Sequence, residues 1–131
     1  MPFISLRISK PTLPPEQGNA LIDQVTELMA TVMNKRPERV TVQISLEDPH
    51  IWAVGRKRLS ASDGCGVRMC IDVTAGTNSI TEKEDMIVAA TRMLDEVLHI
   101  DFDATYIIID EIAGESWGKG GITLADRTRA D

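Results

Sequence analysis

The chain has 131 residues, of which 43% are hydrophobic and 26% charged, which is the size and composition of one ordinary globular domain. Its net charge of −6, without a block of basic residues, argues against a nucleic-acid partner. The longest apolar runs, such as residues 106–109, are no longer than a strand, so we expect neither a membrane span nor a signal peptide.

The first half of the chain predicts a strand, a helix and a second strand. Residues 3–9 alternate between apolar and polar side chains, as a half-buried strand does. After a proline-rich turn, residues 16–34 carry apolar side chains at the three- and four-residue spacing of a helix. Residues 39–46 alternate again, and Gly55 then indicates a small hairpin. This order is that of a β-α-β unit followed by a hairpin.

The second half predicts the same order. A polar linker, residues 60–66, precedes a strand at 68–74. Thr81 begins a T-x-x-E pattern typical of a capping box, so we expect a helix over residues 81–98. A strand at 105–110 and the glycines of residues 118–121 complete a second β-α-β unit with its own hairpin.

The two halves repeat each other at a spacing of 65 residues. The corresponding pairs include Ile4 and Met69, Leu6 and Ile71, Ile8 and Val73, Trp52 and Trp117, Gly55 and Gly120, and Leu59 and Leu124. A shared pattern of this length indicates a duplicated unit. We therefore predict a single domain, residues 1–131, built from units of about residues 1–62 and 66–131.

Two β-α-β units predict an α/β fold of the α+β type, a four-stranded sheet with two helices on one face. The other face stays bare, and a bare sheet face usually needs a partner. The residues assigned to that face are of mixed character: Phe3, Ser5, Arg7, Thr41, Gln43 and Met69. We expect copies of the chain to associate in a ring.

The two cysteines do not indicate a metal site. Cys65 and Cys70 lie five positions apart, with no second Cys or His pair at a ligand spacing. We expect two reduced thiols in a cytoplasmic protein.

The start Met1-Pro2-Phe3-Ile4, together with Ile-Ile-Ile-Asp-Glu at 107–111 and Trp-Gly-Lys-Gly-Gly at 117–121, resembles the tautomerase superfamily. The second half is similar in pattern to a 4-oxalocrotonate tautomerase subunit. The whole chain resembles a fused, two-unit form of that enzyme, with a layout similar to macrophage migration inhibitory factor. The resemblance implies a homotrimer that isomerises small anionic keto or enol acids, of the 4-oxalocrotonate or phenylpyruvate type, without a cofactor.

The resemblance implies that Pro2 is the catalytic base, and its chemistry agrees. Removal of Met1 would turn the nitrogen of Pro2 into a free amine, whereas an internal proline nitrogen is an amide and no base. An α-amine titrates at about 7.7–8.0 in model peptides, and nearby cations and apolar walls lower that pKa towards neutrality, where a general base works best. The repeat places Val67 at the corresponding position of the second unit, so we expect one active site per chain.

An anionic substrate also requires cations. The single-unit enzymes have arginines in the turn after the first strand and in the second strand, where this chain has Thr12 and Thr41. Arg39 lies two residues before Thr41, on the same strand face by the period of two, and is a displaced substitute. The further candidates for substrate binding are Arg56, Arg58 and Lys35, the last of which matches a lysine of the migration-factor family.

Each of these cations also has a purely structural interpretation. Lys35 follows the C-terminus of a helix, where a positive charge is favourable without any function. Arg56 and Arg58 lie beside Gly55, where they would be solvated at a hairpin tip.

Two aromatic residues complete the candidate site. Trp52 aligns with an aromatic residue that walls the pocket in the family, and we prefer it to Trp117. Tyr106 matches a tyrosine of the migration-factor active site. Packing at an interface between chains is the alternative role for Trp52.

Two other functions compete with isomerisation. The first is a lyase, decarboxylase or hydrolytic dehalogenase of the same superfamily, in which Pro2 stays protonated as an acid and a carboxylate activates water. The missing paired arginines disfavour it. The second is a non-enzymatic assembly protein that has kept the fold and lost its cationic clamp.

Overall fold

The computed structural model describes residues 2–130, with side chains as far as Arg127, so Met1 and its predicted removal lie outside the described residues. The first unit consists of β1 (Phe3–Ile8), α1 (Pro15–Thr31), β2 (Thr41–Leu46) and a hairpin of β3 (Ala53–Val54) and β4 (Lys57–Arg58). The second unit consists of β5 (Cys65–Thr74), α2 (Ile80–Leu98), β6 (Ile100–Ile112), a hairpin of β7 (Gly118–Lys119) and β8 (Ile122–Thr123), and α3 (Leu124–Ala130).

The four long strands form one sheet in the order β2-β1-β5-β6. Within each unit the two strands are parallel, as a β-α-β connection requires, and the units meet through the antiparallel pair β1 and β5. The predicted fold of two β-α-β units in a four-stranded sheet is confirmed.

The core lies between the sheet and the two long helices. Alternate residues of β1 and β5 are fully buried there, and so are several apolar residues on one side of α1 and of α2. The core includes Ile4, Leu6, Ile8, Leu21, Val25, Met29, Val67, Met69, Ile71, Met86, Ala90 and Leu94. The burial of both helices against the same sheet face leaves the opposite face uncovered within the described chain.

Side chains of this open face form three rows across the sheet, each made of residues that are register partners. The rows are Thr41, Phe3, Asp72 and Asp110; Gln43, Ser5, Cys70 and Ile108; and Ser45, Arg7, Arg68 and Tyr106. The prediction that Met69 lies on this face is wrong, because Met69 is fully buried on the helix side of the sheet. The exposed residue next to it is Arg68.

Arg39 does not lie in a strand as predicted. Residues Pro37–Arg39 form a 3₁₀ turn, and β2 begins only at Thr41. The N–H of Val40 donates to the carbonyl of Pro37 at 3.1 Å, which closes the turn. The alternation of a strand therefore does not apply to Arg39 and does not determine which way its side chain lies.

The N-cap of the second helix is Ser79 and not Thr81. The Ser79 hydroxyl accepts from the N–H of Glu82 at 3.0 Å, and the Glu82 carboxylate accepts from the N–H of Ser79 at 2.8 Å. This is a closed capping box, so α2 starts one residue before the predicted position.

The remaining differences are at the ends of elements. α1 ends at Thr31, short of the predicted Asn34, because Asn34 has a φ of 57° that no helix continues. β6 is much longer than predicted, and α3 was not predicted. None of the helices that the structure describes is both long and apolar enough to cross a membrane.

Candidate active site

Pro2 is buried at the edge of the sheet where β1 begins. Its carbonyl accepts a hydrogen bond from the N–H of Thr41 at 3.1 Å, which ties it to the start of β2. It lines a cavity of about 470 Å³, which we call the proline pocket. The residues that line the proline pocket are Pro2, Phe3, Arg39, Thr41, Asp72, Trp117, Gly118, Lys119 and Leu124.

The strand order brings the second unit's hairpin to Pro2. Because β1 is antiparallel to β5, Phe3 lies opposite Asp72, and the start of β1 meets the end of β5. The parallel strand β6 ends at the same edge, so the hairpin β7–β8 that follows it covers Pro2. By the same logic the hairpin β3–β4, which follows β2, lies at the other end of β5.

Trp117 forms the aromatic wall of the proline pocket. Its carbonyl accepts from the N–H of Leu124 at 3.0 Å, which closes the hairpin loop behind it. The hairpin is tightly packed, since a Cβ at Gly118 would lie 2.7 Å from the carbonyl oxygen of Ile122. The indole N–H of Trp117 is buried and has no hydrogen-bond acceptor among the described residues.

Two cations line the proline pocket. Arg39 comes from the 3₁₀ turn before β2, and Lys119 comes from β7 of the other unit. The backbone carbonyl of Lys119 accepts from Nε and Nη2 of Arg127, at 3.2 and 2.8 Å, which braces the hairpin. A positive charge from each unit thus borders the cavity that contains Pro2.

A carboxylate shares the same cavity. Asp72 is the cross-strand neighbour of Phe3 on one side and of Asp110 on the other. Its partial burial, and next the negative charge of Asp110, raise the pKa of Asp72 above its ordinary value of 3.8. This side chain can therefore hold a proton at a higher pH than a solvated aspartate.

Trp52, Arg56 and Arg58 do not reach the proline pocket of their own chain. Trp52 lies in a separate cavity with Arg7 and Arg68. Arg58 borders a third cavity near Asp101 and Asp103, and its guanidinium donates to the carbonyl of Arg56 at 2.9 Å. Within one chain, Trp117 occupies the place beside Pro2 that we expected for Trp52.

Lys35 and Tyr106 also lie outside the proline pocket of their own chain. Lys35 Nζ donates to the Thr77 hydroxyl at 2.9 Å, so it joins the end of α1 to the turn before α2. Burial lowers the pKa of Lys35, and the negative charge of Glu82 opposes that shift. Tyr106 is 65% exposed on the open sheet face, beside Arg68.

Seven of the nine residues that line the proline pocket were not predicted as site residues, and among them Asp72, Trp117 and Lys119 bear on its chemistry. The repeat contains the signal that could have found them, because Trp117 and Trp52 are equivalent and only the strand order distinguishes them. Had the antiparallel pairing of the two units been inferred, the hairpin after β6 would have been placed beside Pro2. Among the described residues no group of three or more His, Cys, Asp or Glu could hold a metal ion.

Comparison with known proteins identifies the family. The family model of the tautomerase enzymes matches residues 2–61, which is the first unit. The probable tautomerase Cj0270 of Campylobacter jejuni is 42% identical over 55 residues, a stretch that covers 42% of this chain and 78% of that protein.

Solved structures of low sequence identity share the fold. The asymmetric trimer of wild-type R7 fused 4-OT has a TM-score of 0.84 and 20% identity, over 97% of this chain and 99% of that one. N1, of the cis-3-chloroacrylic acid dehalogenase family, has a TM-score of 0.79 and 20% identity, over 93% and 82%. The macrophage migration inhibitory factor-like protein of Entamoeba histolytica has a TM-score of 0.76 and 16% identity, over 93% and 97%.

The chain matches a curated tautomerase over most of that protein's length, and its fold follows that of fused 4-OT nearly from end to end. It therefore belongs to the tautomerase superfamily.

Proposed function

We propose that the protein is a cofactor-independent tautomerase in which the nitrogen of Pro2, freed by removal of Met1, acts as general base on the enol or dienol form of a small 2-keto acid. The observation that carries the proposal is the position of Pro2, buried in a cavity of about 470 Å³ that is bordered by Arg39, Lys119 and Trp117. A basic amine, two cations and an apolar wall are the groups that such a reaction requires.

The proposed reaction moves one proton. The unprotonated amine of Pro2 takes the proton of the substrate's 2-hydroxyl group, and the electron pair of the O–H bond becomes part of a carbonyl. The double bonds shift, and the ammonium of Pro2 returns the proton to a carbon of the conjugated chain. Arg39 and Lys119 stabilise the carboxylate and the negative oxygen that develops in between.

The walls of the proline pocket would tune Pro2 for this role. Phe3, Trp117 and Leu124 make part of the lining apolar, which disfavours the charged ammonium. The positive charges of Arg39 and Lys119 act in the same direction. Both effects lower the pKa of the amine towards the range in which it is partly unprotonated at neutral pH. The carboxylate of Asp72, which lines the same pocket, opposes them when it is ionised.

We also propose that the working form is a homotrimer. The R7 fused 4-OT structure that shares this fold is a trimer, and the open sheet face needs a cover. In such an assembly a neighbouring chain would supply the residues that lie away from Pro2 in their own chain, above all Tyr106. The roles predicted for Trp52, Arg56, Arg58 and Lys35 stay predictions, as do the single-domain organisation and the cytoplasmic location.

One observation favours a second candidate, hydration or dehalogenation of an unsaturated acid. Asp72 places a carboxylate in the proline pocket, where it could activate a water molecule while a protonated Pro2 donates to the substrate. The two candidates differ in the sign of their pH dependence. Isomerisation needs the free amine and increases with pH through its ionisation, whereas hydration needs the ammonium and decreases.

The test is a steady-state assay with 2-hydroxymuconate and phenylenolpyruvate, on protein whose N-terminal residue has been checked by mass spectrometry. We expect Pro2→Ala to lower kcat/KM strongly, although its primary amine retains some activity. Pro11→Ala is the matched control, because Pro11 does not line the proline pocket, and it should leave kcat/KM unchanged.

A stricter version adds one residue before Pro2. The nitrogen then becomes an amide, so the activity should disappear while the circular dichroism spectrum stays the same. Full activity with a blocked Pro2 would refute the base assignment. No activity in any form of a folded protein would instead support a non-enzymatic role.

A further inference from the structure

We propose that the chain contains a second ligand pocket, formed around Arg7, Arg68 and Trp52, which binds a small monocarboxylate with an apolar body. This cavity of about 270 Å³, the arginine pocket, is separate from the proline pocket and shares none of its lining residues. The residues that line it are Arg7, Glu47, Asp48, Ile51, Trp52 and Arg68.

The two arginines place two positive charges side by side on the open face. Arg7 and Arg68 are direct register partners on the antiparallel strands β1 and β5. Both side chains are exposed on the open face, and partners of this kind have Cβ atoms about 5 Å apart. Like charges directly opposite each other destabilise a sheet. Within the part of the chain that the structure describes, neither guanidinium forms an ion pair or a side-chain hydrogen bond.

A carboxylate between these guanidinium groups would remove the repulsion. Arginine presents several N–H donors in a planar fork that matches the two oxygens of a carboxylate. Two forks on adjacent strands can hold one carboxylate from both sides. The pair is therefore suited to a single anionic group at the end of the open face where β1 ends and β5 begins.

The rest of the arginine pocket selects against a second negative charge. Glu47 is held beside β1, because its N–H donates to the carbonyl of Ile8 at 2.8 Å. Asp48 is already engaged, since it accepts from the N–H of His50 at 2.8 Å and contacts Nδ1 of His50 at 2.9 Å. The carboxylates of Glu47 and Asp48 lie on one side of the pocket. They would repel the second carboxylate of a dicarboxylate ligand that reached that side.

The remaining wall is apolar. Ile51 is 85% exposed, which is unusual for so large an apolar side chain, and it lines the arginine pocket beside Trp52. The carbonyl of Trp52 accepts from the N–H of Leu59 at 2.8 Å, which fixes the backbone that carries the indole. An aryl or alkyl body that extends from the bound carboxylate would cover Ile51 and Trp52.

This pocket is built for binding and not for the proton transfer of Pro2. The repeat places Val67 where the first unit has Pro2, and Val67 is fully buried in the middle of the chain. It also places Asp72 where the arginine pocket has Arg7, so the two related cavities differ in charge. The inference therefore does not depend on the proposed function of Pro2.

The experiment uses the full chain with Trp117→Phe, which leaves Trp52 as the single tryptophan. The probe is 3-phenylpropanoate, titrated at constant ionic strength while the fluorescence of Trp52 is recorded. We expect a saturable change. Arg7→Gln and Arg68→Gln should each weaken binding about tenfold or more, as expected for the loss of a hydrogen bond to a charged group. Glu47→Gln should strengthen binding.

Arg92→Gln is the matched control, since it removes the same charge from the exposed surface of α2. It should leave the affinity unchanged, and the neutral 3-phenylpropanamide should not bind. The arginine variants should unfold at the same temperature as the parent or higher, because they relieve a repulsion. Absence of a saturable signal, or equal weakening by Arg92→Gln, would overturn the proposal.

A second copy of the chain is the competing occupant. If the parent gives no signal with the probe and the double variant Arg7→Gln, Arg68→Gln has a lower mass in sedimentation, the arginines belong to a contact between chains. That result would also overturn the small-molecule pocket. Activity at Pro2 is measured separately, so its loss or retention leaves this test unaffected.

Discussion

Three pairs of equivalent residues show how the two units have diverged in chemistry. Pro2 corresponds to Val67, Phe3 to Arg68, and Asp72 to Arg7. Each member of a pair occupies the same position in its unit, yet the first cavity combines Pro2 with the carboxylate of Asp72 and the second has two guanidinium groups. Equivalent positions therefore give the two cavities different side-chain chemistry.

Asp72 should make the stability of the protein depend on pH. Because its pKa is raised in the folded state, the folded chain binds more protons than the unfolded chain between the ordinary value of 3.8 and the raised one. The contribution of Asp72 to the free energy of unfolding therefore falls as the pH rises from the ordinary pKa to the raised one. Above the raised pKa the destabilisation by Asp72 is complete. We expect Asp72→Asn to raise the melting temperature at neutral pH.

The measurement is thermal unfolding of both proteins from about pH 7 down to about pH 3. The difference in melting temperature between Asp72→Asn and the parent should shrink as the pH falls, because protonated Asp72 and asparagine are both uncharged. Asp110→Asn should give a smaller rise, since burial is the larger cause of the shift. A difference that stays constant with pH would contradict this explanation.

The two tryptophans should differ in their effect on activity. Trp117 lines the proline pocket and Trp52 does not. We expect Trp117→Ala to lower kcat/KM by about ten- to a hundredfold, because the lost apolar contact is worth roughly 1.5–3 kcal/mol. Trp52→Ala is the repeat-matched control and should have the smaller effect in the same assay. Equal losses would mean that a neighbouring chain brings Trp52 to Pro2.

At the level of elements, the antiparallel pairing of β1 with β5 determines where each hairpin lies. Each unit ends in a hairpin, and the pairing places that hairpin over the start of the other unit. Trp117 and Lys119 therefore belong to the cavity of Pro2, although they lie more than a hundred residues away in the chain. A parallel pairing of the units would have kept each hairpin away from Pro2.

The capping box of α2 gives a test at this scale. Ser79 satisfies the N–H of Glu82, so Ser79→Ala should lower the free energy of unfolding by about 1 kcal/mol. Thr81→Ala is the control, since Thr81 lies inside the helix and caps nothing. Urea denaturation should separate the two variants. A larger loss for Thr81→Ala would contradict the observed cap.

At the level of the whole molecule, the open sheet face is the side of the sheet that no helix of the described chain covers. It carries an acidic row with Asp72 and Asp110 and a basic row with Arg7 and Arg68, separated by a row centred on Ser5 and Cys70. Rows of like charge on one face are unfavourable in isolation, which is consistent with a face that contacts other groups in the working form.

We expect analytical ultracentrifugation to give a mass three times that of the chain at micromolar concentration. Association would bury Phe3 and Tyr106, which are 38% and 65% exposed in the single chain. Tyr106→Glu should reduce the mass, because it puts a charge into the interface, whereas the same change at the helix surface, Gln24→Glu, should not. A monomer mass for the parent would refute the trimer.

The fold could be read from the sequence because it depends on local patterns. Alternation at residues 3–9 and 68–74, the two helical stripes and the spacing of 65 residues all follow from the period of each element. Burial of apolar side chains on one face of each element is enough to specify two β-α-β units in one sheet.

What only the tertiary structure decided is which distant residues surround Pro2. The sequence contained two equivalent tryptophans, and no local property distinguishes Trp117 from Trp52; the antiparallel register does. Arg39 likewise reaches the proline pocket from a 3₁₀ turn and not from the strand that the pattern implied. Local periodicity determines each element, whereas the neighbours of a pocket depend on strand order, and strand order is set by contacts between residues far apart in the chain.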